Sequence, residues 1–255
     1  MGPDAFEGQH AVVTGGSRGI GLAIARALRG AGAHVTIFGR DRARLDAAVS
    51  DGAAHAAFSV DVGDPEAVAV AIREAEAKGG SVSLAVANAG AAASAPFAKT
   101  GPEVFRQMFD VNLLGVVNLA HAVLPGMVER NEGRIVAIAS TAALKGYPYV
   151  SAYVSAKHAV LGLVRSLALE VASSGVTVNA ICPGFTDTDI VAESLDRIVS
   201  KTGRTREQAL TELTKHNPQK RLVDPGEVAD AVLWLCRAQS RSVTGQAIAV
   251  AGGEV

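Results

Sequence analysis

Residues 14–21 read Thr14-Gly15-Gly16-Ser17-Arg18-Gly19-Ile20-Gly21. The stretch follows a short apolar run, His10–Thr14 (HAVVT), and opens an Ala-rich segment, Gly19–Ala31, that reads as a helix with Gly32 near its end. Glycines at such a junction let the backbone turn sharply and come close to a ligand. The helix start behind them offers free N–H groups and the positive end of a dipole to a phosphate. Glycines in a strand-to-helix turn can also serve packing alone. The position after the first strand, at the mouth of a helix, favours a dinucleotide pyrophosphate site. Its expected contacts are Gly15, Ser17, Arg18, Gly19, Ile20 and Gly21.

The alternation begun here continues along the chain. His34–Phe38, Ala54–Val60, Val82–Ala87, Arg134–Ala139, Val176–Ile181 and Ala247–Ala251 read as strands. Between them, helices are expected at Asp41–Ser50, from Pro65, at about Pro102–Arg130, at about Tyr149–Ser173 and at Pro225–Arg237. Strands that are apolar on nearly every residue are covered on both faces, the mark of a parallel sheet between helix layers. The expected fold is α/β: a single Rossmann-like domain over residues 1–255, built on a doubly wound, parallel, seven-stranded sheet with helices on both faces. Residues 187–221 interrupt the alternation, are polar and carry KTGRTREQ. One or two short helices forming a substrate lid over an opening are expected there.

Composition narrows the function classes. Hydrophobic residues make up 49% and charged residues 19%, as in a globular chain. With 24 basic and 25 acidic residues, the net charge of −1 supplies no field to recruit nucleic acid or anionic lipid. The apolar run at 160–171 is broken by Arg165 and Glu170, so it is not read as a membrane span. Two distant cysteines, Cys182 and Cys236, argue against a disulfide framework. The N-terminus lacks an apolar signal core, and its Met-Gly start lacks a Ser or Thr at position 6. A soluble, cytoplasmic protein is expected. There are six histidines without H-E-x-x-H spacing, so no metal is expected.

Tyr153-Val154-Ser155-Ala156-Lys157 sets a phenol one helical turn from an ammonium. A nearby cation stabilises the phenolate and lowers a pKa that is otherwise near ~10. Alone, the pair could be two ordinary helix-face residues. The other motifs give it context: Asp61-Val62 after the third strand, Asn88-Ala89-Gly90 after the fourth, Asn112 in the long helix, Ser140 after the fifth, and Pro183-Gly184 after the sixth. With T-G-x-x-x-G-x-G at 14–21, in this order and over almost the whole chain, the sequence resembles the short-chain dehydrogenases/reductases. One departure is Ala87, where the family often has asparagine.

The resemblance implies an NAD(P)-dependent oxidoreductase that interconverts a ketone and a secondary alcohol through a tetrad of Asn112, Ser140, Tyr153 and Lys157. Tyr153 would move the proton, Ser140 would bond the substrate oxygen, Lys157 would also bind the nicotinamide ribose, and Asn112 would hold a water beside Lys157. It implies cofactor contacts at Asp61, Val62, Asn88, Ala89, Gly90, Tyr153, Lys157, Pro183, Gly184 and Thr186, with Ile181 and Phe185 near the ring. Thr188 is a second candidate beside Thr186.

After the second strand, where an acidic residue would hold a ribose 2′-hydroxyl, stands Gly39, followed by Arg40. Arg40 and Arg18 could grip a 2′-phosphate, or Arg40, Arg42 and Arg44 could simply line a solvated helix start. Asp41 keeps the ribose hydroxyl open as a partner. NADP(H) is favoured, with NAD(H) the alternative. Ala142, Leu144 and Tyr147, with Phe185 and Ile190 opposite, suggest an apolar substrate cleft beside Ser140. Asp187 and Asp189 read as loop carboxylates capping the next helix, and His158 as pointing off the catalytic face. The insertion and the chain's end are similar to bacterial reductases of acyl thioesters, so a 3-oxoacyl/3-hydroxyacyl thioester is the favoured small-molecule substrate. Lys201, Arg204, Arg206, Lys215, Lys220 and Arg221 could meet its phosphates or form a solvated face. The alternatives are a cyclic ketone, steroid or sugar alcohol, and a nucleotide sensor without turnover. The family's habit of packing its long helices across two-fold axes implies a homotetramer or a dimer.

Overall fold

The computed structural model describes residues 5–255, except for the side chains of residues 190, 197, 198 and 201. The expected roles of Ile190 in the pocket and Lys201 on the basic face fall outside the described residues. The strands are β1 (His10–Thr14), β2 (His34–Gly39), β3 (Ala56–Ser59), β4 (Val82–Ala87), β5 (Gly133–Ile138), β6 (Val176–Pro183) and β7 (Ala247–Val250). Among the described residues they form one parallel sheet in the order β3-β2-β1-β4-β5-β6-β7. Every residue of β1, β5 and β6 is buried, which accounts for their unbroken apolar runs.

The helices are α1 (Gly19–Gly30), α2 (Arg42–Ser50), α3 (Pro65–Gly79), α4 (Pro102–Phe109), α5 (Gly115–Glu129), α6 (Ser151–Glu170), α7 (Asp189–Thr202), α8 (Arg206–Thr214) and α9 (Pro225–Cys236). One core layer lies under α1, α2 and α9, with Ile24, Leu28, Leu45 and Val232. The other lies under α3, α5 and α6, with Ile72, Leu119, Met127 and Val160. Starts are set by local chemistry: Asp64 caps α3 ahead of Pro65, and Asp224 with Glu227 forms a capping box on α9.

The long helix expected over Pro102–Arg130 is interrupted. A π-turn at Asp110–Leu114 separates α4 from α5 and carries Asn112. The Asn112 Nδ2 donates to the Met108 carbonyl at 3.0 Å and to the Ala91 carbonyl at 2.9 Å, so the widened turn is tied to the loop after β4. Pro102–Glu129 is, by length and composition, the one candidate membrane span among the described residues. Its apolar residues Val116, Leu119, Val123 and Met127 are packed into the core under α5.

Residues 187–221 hold α7 and α8, which close on a small core of Val191, Leu195 and Ala209 with Phe185, Leu213 and Leu222. An isolated bridge between Thr186 and Val223 ties the base of this excursion together. At the N-terminal ends of β1 and β2, three imidazoles meet. His34 stacks on His55 with centroids 4.4 Å apart and meets His10 edge-on at 5.0 Å.

Candidate active site

In a parallel sheet every strand delivers its following loop to the same edge. The loops after β1, β2, β3, β4 and β5 therefore bring Gly15, Arg40, Asp61, Asn88 and Ser140 to one rim. The strand order reverses between β1 and β4, and the loops after these two strands touch. Both backbone amides of Asn88 and Ala89 donate to the Thr14 hydroxyl at 3.0 Å, and the Asn88 Nδ2 donates to the carbonyls of Thr14 and Gly15 at 3.0 and 3.2 Å. Gly15 has φ +64°, a left-handed turn that favours glycine. A Cβ on Gly21 would lie 2.2 Å from the Gly15 carbonyl oxygen, so α1 can start this close to β1 only without a side chain there.

An elongated cleft of about 400 Å³ runs along this rim. Gly15, Ser17, Arg18, Gly19 and Ile20 form its floor; Arg40, Asp61, Val62 and Arg44 surround one end; Asn88, Ala89 and Gly90 lie midway; Asn112, Tyr153 and Lys157 stand at the other end. The glycine cradle at a helix start and the cations in the lining fit a dinucleotide. Of the remaining expected cofactor contacts, Gly21 lies beneath the cleft. Gly184 packs on Ala251 and Glu254 after buried Pro183. Thr186 is buried and donates its hydroxyl to the Gly184 carbonyl at 3.0 Å. Thr188, the second candidate, lines the cleft.

The tetrad residues converge. A Cβ on Gly90 would lie 2.8 Å from the Asn112 Oδ1 and 3.6 Å from the Lys157 Nζ, so glycine lets these two groups share one corner. The Lys157 Nζ donates to the Ile138 carbonyl at 2.9 Å and sits 5.7 Å from the Tyr153 ring centroid. The Ser140 hydroxyl accepts from the Ala142 amide at 3.1 Å, capping a short turn at Thr141–Ala143. The electrostatics differ from the expectation that Lys157 lowers the phenol's pKa. Burial pushes Tyr153 up, with the neighbouring Ser140 hydroxyl pulling it down. Burial also lowers Lys157 to about 8.

On the substrate side the expected apolar cleft is partly filled. Ala142 is buried, and Leu144 packs against the core, because the turn after Ser140 folds inward. Tyr147 and Phe185 pack edge-to-face at 6.2 Å. The Tyr147 hydroxyl donates to the Glu254 carboxylate at 2.6 Å and accepts from Thr141 at 2.7 Å, while Lys145 pairs with Glu254 at 3.1 Å. His158 is exposed, as expected. Asp189 is not the helix cap: Thr188 holds that position, and Asp189 instead pairs with Arg44 at 3.0 Å and Arg18 at 3.8 Å.

Arg44, read from the sequence only as one of three arginines that could line a solvated helix start, lines the cleft. Glu254 has no role in the sequence reading, since nothing local marks it. Among the described residues no group of His, Cys, Asp or Glu has metal-binding geometry.

A family profile described as enoyl-(acyl carrier protein) reductase matches residues 15–254. D-beta-hydroxybutyrate dehydrogenase of Rhizobium meliloti is 34% identical over 95% of this chain and 97% of its own length. Acetoacetyl-CoA reductase of Shinella zoogloeoides is 36% identical over 96% of this chain and 97% of its own. A crystal structure of a variant actinorhodin polyketide ketoreductase with NADPH superposes with TM-score 0.92 at 34% identity, covering 96% of this chain and 97% of that one. The chain belongs to the short-chain dehydrogenase/reductase family. It is an NAD(P)-dependent oxidoreductase that interconverts a ketone and a secondary alcohol.

Proposed function

We propose that this chain is an NADP(H)-preferring reductase of 3-oxoacyl thioesters. The observation that carries the reading is the cleft itself, with three arginines at one end and Tyr153, Lys157 and Asn112 at the other. Arg18, Arg40 and Arg44 favour a doubly charged 2′-phosphate over a ribose hydroxyl. The relative named for acetoacetyl-CoA reduction favours the thioester.

The cleft residues Gly15, Ser17, Asn88 and Lys157 would hold a reduced nicotinamide cofactor, which would supply hydride for the carbonyl carbon. The Tyr153 Oη gives its proton to the carbonyl oxygen, so the product is a secondary alcohol. The Ser140 Oγ holds that oxygen in place. Lys157, charged below about pH 8, stabilises the phenolate left behind. Asn112, fixed by its bonds to Met108 and Ala91, holds the π-turn beside Lys157 in position. Tyr147 and Phe185 border the substrate. Residues 187–221 act as a lid on an otherwise single domain.

Absorbance of reduced nicotinamide, followed with acetoacetyl-CoA and then with cyclic ketones, tests the substrate. A preference for cyclic ketones would replace the thioester by a ring compound, and no turnover with any ketone would leave a nucleotide sensor. KM for NADPH below that for NADH is expected, and the reverse order would overturn the cofactor assignment.

We further propose a cytoplasmic homotetramer or dimer. Support comes from Leu114 and Val128, about 40% exposed at the ends of α5, and Leu169, 82% exposed on α6. Sedimentation of the wild type should give a species larger than one chain, and Leu169→Glu should shift it toward the monomer. A monomeric wild type would refute the assembly.

A further inference from the structure

Two guanidinium groups converge on one carboxylate at the mouth of the cleft. The Asp189 Oδ2 lies 3.0 Å from the Arg44 Nη1 and 3.8 Å from the Arg18 Nη1. Arg44 comes from α2 and Arg18 from the glycine loop, whereas Asp189 is the first residue of α7. The contact therefore pins the 187–221 excursion across the cleft. Arg40 and Asp41 line the same end. Asp41 holds Arg44 from the other side, 3.3 Å from its Nε. With Asp61 at the same end, three arginines face three aspartates, and two of those carboxylates, Asp41 and Asp189, are paired to Arg44.

The carboxylate's aim is not dictated by its helix. Thr188 occupies the cap position, and Asp189 turns outward to Arg44, 145 positions away in sequence, and to the still more distant Arg18. A negative charge in the first turn does favour the helix dipole, but that interaction asks for no particular arginine.

We propose that Asp189 is an internal stand-in for the cofactor's 2′-phosphate, held by the arginines that receive that group and displaced when it binds. This rests on the NADP(H) reading above and deepens it. A phosphate monoester brings a larger charge and three acceptor oxygens to the same forked donors, so it wins the exchange. A cofactor without the 2′-phosphate offers nothing to Arg44 in place of Asp189. It leaves α7 tied to α2. Asp189 thus weakens binding of every 2′-phosphate ligand and couples its arrival to release of α7.

The test compares adenosine 2′,5′-bisphosphate with 5′-AMP, which differ only in the 2′-phosphate, by isothermal titration on the wild type, Asp189→Asn and Asp187→Asn. Thermal melts check that each variant is folded. The wild type should prefer the bisphosphate. Asp189→Asn should widen that preference roughly two- to fivefold, the size expected from losing a solvent-exposed pair. Asp187→Asn, whose carboxylate forms no ion pair among the described residues, should leave it unchanged. An unchanged ratio in Asp189→Asn, or equal tightening of both ligands, overturns the proposal while leaving the cofactor reading intact. A wild type without preference overturns both.

Hydrogen exchange on the wild type gives a second readout that needs no variant. The bisphosphate should speed exchange in the first turns of α7, and AMP should not. Equal protection with both ligands would count against displacement.

Discussion

Tyr153 is a phenol whose surroundings oppose its ionisation, since burial raises its pKa and the Ser140 hydroxyl only partly offsets this. In that environment the group is held as an acid, ready to give a proton to an oxygen that becomes more basic as hydride arrives at carbon. Lys157 is itself lowered to about 8, so its charge is present at neutral pH and fades above it. Tyr153→Phe removes the proton and leaves the ring. It should keep the fold and cofactor affinity while lowering kcat by about 10²–10⁴, the usual contribution of general acid–base catalysis. Near wild-type kcat in that variant would remove Tyr153 from the mechanism. That Asn112, Ser140, Tyr153 and Lys157 lie together was legible in the sequence, because each follows a strand or sits on a helix at a fixed offset. The direction of the phenol's shift was not, because it depends on burial, which no local pattern records. The inward fold of Ala142 and Leu144 was hidden for the same reason.

Among the elements, α1 depends most tightly on a missing atom. Its start is pressed on the end of β1 so closely that a Cβ at Gly21 would also lie 2.4 Å from the Asn88 Nδ2. Gly21→Ala must push α1 away from the loops after β1 and β4. It should cost at least about 1–3 kcal/mol, as overpacking does, and weaken nucleotide binding by the same movement. A chemical-denaturation midpoint and a nucleotide titration equal to wild type would show that the contact relaxes freely. The order of strands and helices was readable because parallel strands buried on both faces leave continuous apolar runs. The π-turn at Asp110–Leu114 was not. Its cause is a pair of side-chain bonds from Asn112 to residues 4 and 21 positions away, and the second exists only once the loop after β4 is in place. The span of residues 187–221 was visible as a break in the pattern. That Asp189 reaches back to α2 was not, since the partners are far apart in sequence.

For the molecule as a whole, chemistry and acid sensitivity occupy opposite ends of the sheet. His10, His34 and His55 all lie at the N-terminal ends of β1, β2 and β3, and burial lowers the pKa of each, with neighbouring imidazoles and Arg29 adding to the effect. Gly80 and Glu76 pull His10 the other way. The His55 Nδ1 accepts from the Val35 amide at 3.0 Å, a bond that a proton on that nitrogen would break. Groups whose folded pKa is depressed take up protons on unfolding. Stability should therefore be full above the ordinary histidine range and fall as pH drops through about 6.5. Melting temperatures measured from pH 7.5 to 5.5 should decline, and a flat profile would show that the cluster does not govern acid stability.

Cys182 and Cys236 are both buried, and burial raises them to about 11 and about 12. Thiolate is the reactive form, so at neutral pH both sulfurs are chemically silent while packed. A sulfhydryl dye should stay colourless against the native enzyme and report only molecules that have opened. The rate of colour development then clocks unfolding, with no engineered label.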